Sequence, residues 1–151
     1  MERETDGNLA LGRLAGSVGP RMRLLVNILS ARSIAASAPY GLPTGSLTVL
    51  ALMAANPGSS QTALAARAGI NKSALVGLVD ELERRGLASR DRSTADRRRN
   101  DLTVTPAGEQ TMEALFAAVT GNEAPIRAAL GPEGMAQLID LLDRALAALE
   151  P

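Results

Sequence analysis

Apolar residues return at steps of three and four at Leu11, Leu14, Val18, Met22, Leu25 and Leu29, the spacing of a single stripe on a helix. Gly12, Gly16, Gly19 and Pro20 interrupt the stripe, so the helix is either kinked or begins at Pro20. Turn formers at 38–43 end it. A second helix is predicted from about 44 to 55, closed by Asn56-Pro57-Gly58. Ser59 or Ser60 then caps a short third helix over 61–68, and Gly69 ends it. A fourth runs from about 71 to 85 and stops at Gly86.

The pattern then changes period. Residues 87–92 and 100–105 read as two short strands, with Leu102 and Val104 two apart. A polar turn and three arginines lie between them. Thr105-Pro106 is a cap followed by a first-turn proline and opens a long helix striped by Met112, Leu115, Phe116 and Val119. Gly121 and Pro125 interrupt it. The last helix is predicted to start near Pro132-Glu133, with Met135, Leu138, Ile139, Leu142, Leu146 and Leu149 on one stripe.

Composition sharpens this picture. The 151 residues are 46% apolar yet contain one Tyr, one Phe and no Trp. Ala, Leu and Val must therefore fill the interior, which suits packed helices better than a sheet sandwich. Cys and His are absent, which removes disulfides, thiol chemistry, Cys/His metal sites and the commonest general base. No phosphate loop or tight carboxylate pair stands out. The chain is not expected to be an enzyme, and no cofactor or metal is expected. The first residues, MERETDGNLALGR, lack a basic-then-apolar leader, and no run approaches the ~18 apolar residues of a membrane span. A cytoplasmic protein with no membrane partner is expected.

Net charge is zero, but it is unevenly spread. Residues 7–99 hold thirteen Lys/Arg against five Asp/Glu, and residues 100–151 hold two Arg against eight acids. A basic segment beside an acidic one suggests a polyanion partner for the first; the plain alternative is a dipolar, inert surface.

The segment 61–80, QTALAARAGINKSALVGLVD, carries the sharpest functional signal. Two short helices crossing near a right angle need a small residue at their contact, here Ala65, and a turn glycine, here Gly69. Leu64, Ala68, Ile70, Leu75 and Leu78 supply the shared core. Asn71, Lys72 and Ser73 then lie at the exposed start of the second helix, where N–H groups and short polar side chains can meet phosphates and base edges in a major groove. Ser60 and Gln61 are placed to fix the backbone. Arg84, Arg85, Arg90, Arg92, Arg97, Arg98 and Arg99 crowd the stretch that follows. A basic hairpin beside such a helix can track phosphates and place an arginine in the minor groove. Ordinary helical hairpins and solvated arginine faces are the competing readings.

These segments resemble the MarR family of bacterial regulators over nearly the whole chain. The resemblance is carried by GLPTGSLTVLALMAANPG, by INKSALVGLVDELERRGLASR, and by DRRRNDLTVTPAG with Asp96, Arg97, Arg98, Leu102, Thr105 and Gly108 at the family's spacing. It implies a mainly α fold: a winged helix-turn-helix with a two-stranded wing and long dimerisation helices at both ends. The whole chain, 1–151, would be one unit, with a DNA-binding lobe at 42–105 and dimerisation helices at 8–38 and 106–149. It implies a homodimer on a roughly palindromic operator in double-stranded DNA, acting as a repressor, with Arg97 reaching the minor groove and Asp96 bracing the wing's arginines. It further implies release by a small aromatic or acidic effector in a crevice beside which Met22, Tyr40, Met53, Arg21 and Arg23 are placed. The plain alternative makes the two methionines gap-filling core and the arginines surface. Family members often carry Thr or Arg where Ala74 and Gly77 stand, so base readout is expected to be sparse. The alternative function is a winged-helix protein-interaction module that binds no DNA.

Overall fold

The structure is a computed structural model. It describes residues 10–92 and 100–149, with the backbone alone for Arg92 and Asn100. Its first long helix, α1, spans Gly19–Ser37 with Pro20 in the first turn, where a missing N–H breaks no bond. Leu11 and Leu14 therefore fall outside it, at a separate 3-10 turn over Gly12–Leu14. The stripe from Leu11 to Leu29 is split in two, and of the kink and the fresh start expected at Pro20 the structure has the fresh start. A second 3-10 turn, Ala38–Tyr40, and Gly41 at φ 60 turn the chain into α2, Ser46–Ala55.

Helix α3 spans Gln61–Ala68 and α4 spans Lys72–Arg84. Strands β1 (Ala88–Arg92) and β2 (Asn100–Val104) pair antiparallel, Ala88 opposite Val104 and Arg92 opposite Asn100. Helix α5 is Pro106–Thr120 and α6 is Ala124–Ala147. The latter is two helical segments across Gly131, whose φ of 67 and ψ of 176 break it. The segment expected to start at Pro132 is there. What periodicity missed is the earlier segment from Ala124, because Pro125 sits in a first turn, where it starts a helix instead of ending one. The fold is a mainly α winged helix-turn-helix.

One core holds α2, α3, α4 and the base of the wing together. Leu50 and Met53 of α2, Leu75 and Leu82 of α4 and Leu102 of β2 are its largest fully buried side chains. Leu115 of α5 is as deeply buried but lies outside that cluster. Neither α1 nor α6 contains a buried residue. Leu24 and Val26 on α1 keep 62% and 56% of their exposure, and Leu141 and Leu146 on α6 keep 57% and 55%. Apolar side chains left this exposed on two long helices are the kind of surface that association covers. No helix among the described residues is long and apolar enough to cross a membrane.

Candidate nucleic-acid interface

Local side-chain chemistry builds the helix pair. The Ser60 Oγ accepts the Ala63 N–H at 3.2 Å, and the Asn71 Oδ1 accepts the Ala74 N–H at 2.8 Å. Each cap satisfies one donor that a helix start leaves free. Gly69 takes φ 68, and the Ile70 N–H returns to the Ala65 carbonyl at 3.0 Å, which ends α3 within one turn. The two helices then share Leu64, Ala65, Leu75 and Leu78, all buried.

The start of α4 is left uncovered. Asn71, Lys72, Ser73, Ala74 and Gly77 are all exposed, and no heavy atom lies within 4 Å of where a Gly77 Cβ would stand. With its Oδ1 used as the cap, Asn71 still has its amide N–H groups to donate outward. Lys72 makes no ion pair among the described residues. A helix N-terminus with free N–H dipoles, one cation and two short polar side chains is chemically suited to a phosphate and an adjoining base edge. Gln61 is half-buried in the first turn of α3.

The arginine run does not stand as a uniformly free basic strip. The Arg90 Nη2 lies 2.5 Å from the Asp80 carboxylate and its Nε 3.3 Å from Glu83, and only 23% of the side chain remains exposed. In this arrangement Arg90 fastens the wing to α4. The cause is position. Asp80 and Glu83 lie three apart on α4, and the β1 register brings residue 90 to both. Arg92 is described in backbone only, and Arg97, Arg98, Arg99 and Asp96 lie outside the described residues. Across the strands the Ser89 and Thr103 hydroxyls pair at 2.7 Å.

Arg84 and Arg85 are also occupied. Both donate to Glu81, Arg84 at 2.7 and 2.8 Å and Arg85 at 2.6 Å. The hydrogen bonds from Arg84 and Arg85 hold the Glu81 carboxyl down at about 2. The other arm of Arg85 donates to the Gly41 carbonyl at 2.6 Å and reaches the Tyr40 carbonyl at 3.5 Å. The end of α4 is thereby pinned to the corner that follows α1.

Behind that corner lies a cavity of about 310 Å³ among the end of α1, the start of α2 and α5, with Ile34, Ser37, Leu42, Leu47, Leu115 and Val119 on its walls. Of the residues placed beside an effector crevice, Tyr40 comes nearest. It follows the wall residue Ala38 and precedes the wall residue Gly41, half-buried, with its hydroxyl donating to the Ala114 carbonyl at 3.3 Å. Met53 is not at the crevice: at 1% exposure it is core. Met22 and Arg21 line a different, wider groove of about 560 Å³ between α1 and the end of α6, walled by Leu25, Leu138, Leu142 and Leu146. Arg23 is exposed and lines neither.

Comparison with known proteins bears on this geometry. A family model described as MarR family matches residues 40–99. A putative transcriptional regulatory protein for the hcr operon of Thauera aromatica is 35% identical over 139 residues, covering 90% of this chain and 82% of that protein. The transcriptional repressor CouR bound to a 23-mer DNA duplex superposes with a TM-score of 0.80 at 30% identity, covering 93% of this chain and 99% of that one. CouR from Rhodococcus jostii RHA1 bound to p-coumaroyl-CoA superposes with a TM-score of 0.76 at 29% identity, over 85% of this chain and 91% of that one.

Proposed function

The chain belongs to the MarR family of transcriptional regulators, and we propose that it works as a homodimeric repressor, setting one α4 in the major groove of each half of a roughly palindromic operator. The observation that carries the reading is the bare start of α4, where Asn71, Lys72 and Ser73 project from a rigid, doubly capped helix pair. A relative of the same architecture is known bound to a DNA duplex, which favours DNA over a protein-interaction module. The lobe over 42–105 holds the DNA, and helices within 8–38 and 106–149 pair two copies through the uncovered faces of α1 and α6. Arg97, Arg98, Arg99 and Arg92 complete the grip at the wing. Arg90 positions that wing. The protein works by binding, not catalysis, in the cytoplasm where its DNA lies.

The cavity beside Gly41 is the proposed effector site. CouR, bound to p-coumaroyl-CoA in one structure and to DNA in another, supports a regulator that a small molecule releases. Its link to the DNA surface is the Arg85 fork, which holds both the cavity's corner and Glu81 of α4.

The experiment is fluorescence anisotropy with labelled duplex DNA at several salt concentrations. Binding is expected to weaken steeply, log K falling by ~0.9 per phosphate neutralised. Lys72→Ala is expected to weaken binding and to reduce that slope by about one for each phosphate it leaves unneutralised. No binding to duplex DNA at low salt would end the proposal.

A further inference from the structure

We propose that Gly77 sets how deeply α4 enters the major groove, and that the surface it leaves beside Ala74 takes the C5-methyl group of a thymine in each half-site. This rests on the reading that α4 lies in that groove. Gly77 is the sixth of the thirteen residues of α4, and a glycine in a helix interior costs about fivefold in the folding equilibrium against alanine. Nothing among the described residues asks for it. Its φ is not in the left-handed region, it neither starts nor ends the helix, and no described atom lies within 4 Å of where its Cβ would stand. Gly108 is the contrast, since a Cβ there would collide with the Leu87 carbonyl oxygen. A helix glycine that the fold does not use points to a backbone that something outside the chain approaches closely.

Its neighbours leave that approach open. Ser73 and Ala74 stand four and three residues before Gly77 on the same side of the helix, both short and both exposed. Asp80 and Glu81 stand three and four residues after it. Both carboxylates are matched by arginines, Asp80 by Arg90 at 2.5 Å and Glu81 by Arg84 and Arg85 at 2.7 and 2.6 Å. The middle of α4 therefore presents no long side chain on one side of Gly77 and no unmatched carboxylate on the other.

The chemistry of this surface selects its partner. Ala74 offers a methyl group and Gly77 a bare Cα, while the N–H and C=O groups of a helix interior bond to one another. Such a surface reads no hydrogen-bonding edge. The apolar group that a base pair shows in the major groove is the thymine methyl, and burying one methyl is worth about fourfold in affinity. Asn71, Lys72 and Ser73 remain for the phosphate and the adjoining base edges.

The test uses the full chain, the shortest genomic duplex that it retains and a scrambled duplex of the same composition. Gly77→Ala is expected to raise the urea midpoint. In fluorescence anisotropy Gly77→Leu, which adds length but neither charge nor hydrogen bond, is expected to weaken binding to the retained duplex at least tenfold. Binding to the scrambled duplex, held through phosphates, is expected to stay within twofold. Deoxyuridine is then put in place of one thymine in each half-site, position by position. At one position it is expected to weaken wild-type binding at least fivefold and to leave Gly77→Leu binding unchanged. A lowered urea midpoint for Gly77→Ala overturns the proposal and leaves α4 in the groove. So does a Gly77→Leu chain that binds the retained duplex as tightly as wild type or loses both duplexes equally, and so does a site in which no thymine methyl matters. A wild-type chain that retains no duplex, or binds the retained and scrambled duplexes alike, overturns the reading of α4 and the proposal together.

Discussion

Gly108→Ala separates what helix propensity alone would do from what this packing demands. Gly108 is the third residue of α5, and an alanine there should favour the helix by about 1 kcal/mol. Yet a Cβ at that position would stand 2.0 Å from the Leu87 carbonyl oxygen and 2.7 Å from the Val104 Cγ1, where less than 3.0 Å is essentially never seen. The Val104 side chain can turn away; the carbonyl cannot. That oxygen already accepts the Thr105 N–H at 3.1 Å. The start of α5 must therefore lift by about 1 Å from the root of the wing. The lift breaks the Thr105–Leu87 bond and strains the Thr105 hydroxyl, which caps Gly108 at 3.0 Å and donates to the Gly86 carbonyl at 2.7 Å. Overpacking costs ~1–3 kcal/mol, the hydrogen bond ~0.5–1.5 and the cap ~0.5–2. After the propensity gain, a net loss of about 1–5.5 kcal/mol is expected, against a total stability of ~5–15. Urea unfolding at fixed protomer concentration measures it. A Gly108→Ala chain as stable as wild type, or more so, would refute the close approach of α5 to the wing root.

Arg90→Ala should lower the urea midpoint modestly, by ~0.2–1 kcal/mol for partly exposed pairs, and leave the salt slope of DNA binding unchanged; a reduced slope would mean that Arg90 meets phosphate after all. Glu81 has its carboxyl lowered from 4.5 to about 2, so its contribution is fully present above pH 4.5 and is lost as pH falls toward 2. Unfolding midpoints taken across that range should fall less steeply for Glu81→Gln than for wild type, and parallel profiles would contradict the pairing with Arg84 and Arg85. Leu141→Arg, in the groove between α1 and α6, should shift sedimentation from dimer to monomer while α2–β2 stay folded. A stable wild-type monomer at micromolar concentration would remove the two-half-site arrangement.

The parts legible in the sequence are those fixed by local chemistry. Ser60, Asn71 and Thr105 cap their helices and Gly69 closes α3 because each acts within three or four residues of itself. The winged architecture follows from the order of those signals and from the change in apolar period after Gly86. What the sequence hides depends on packing between elements. Residues 46–55 are apolar on every side, so nothing in the pattern says that Met53 faces inward. Arg90 looks like the other arginines of its run, and only the seating of β1 on α4 gives it Asp80 and Glu83. Gly108 carries no signal beyond its spacing; its need for a missing side chain emerges once Leu87 lies against it. Met22 falls on a helix face that two different grooves could claim.

The central claim is that this chain reads DNA as a two-fold pair of winged lobes. Sequencing the genomic fragments retained by the purified protein at moderate salt tests it most directly. The account predicts a few enriched sites with inverted half-sites whose centres lie about 10 bp apart, and A/T-rich steps where the wing tips meet a narrow minor groove. Retained fragments indistinguishable from the input, or enriched sites without two-fold symmetry, would contradict it.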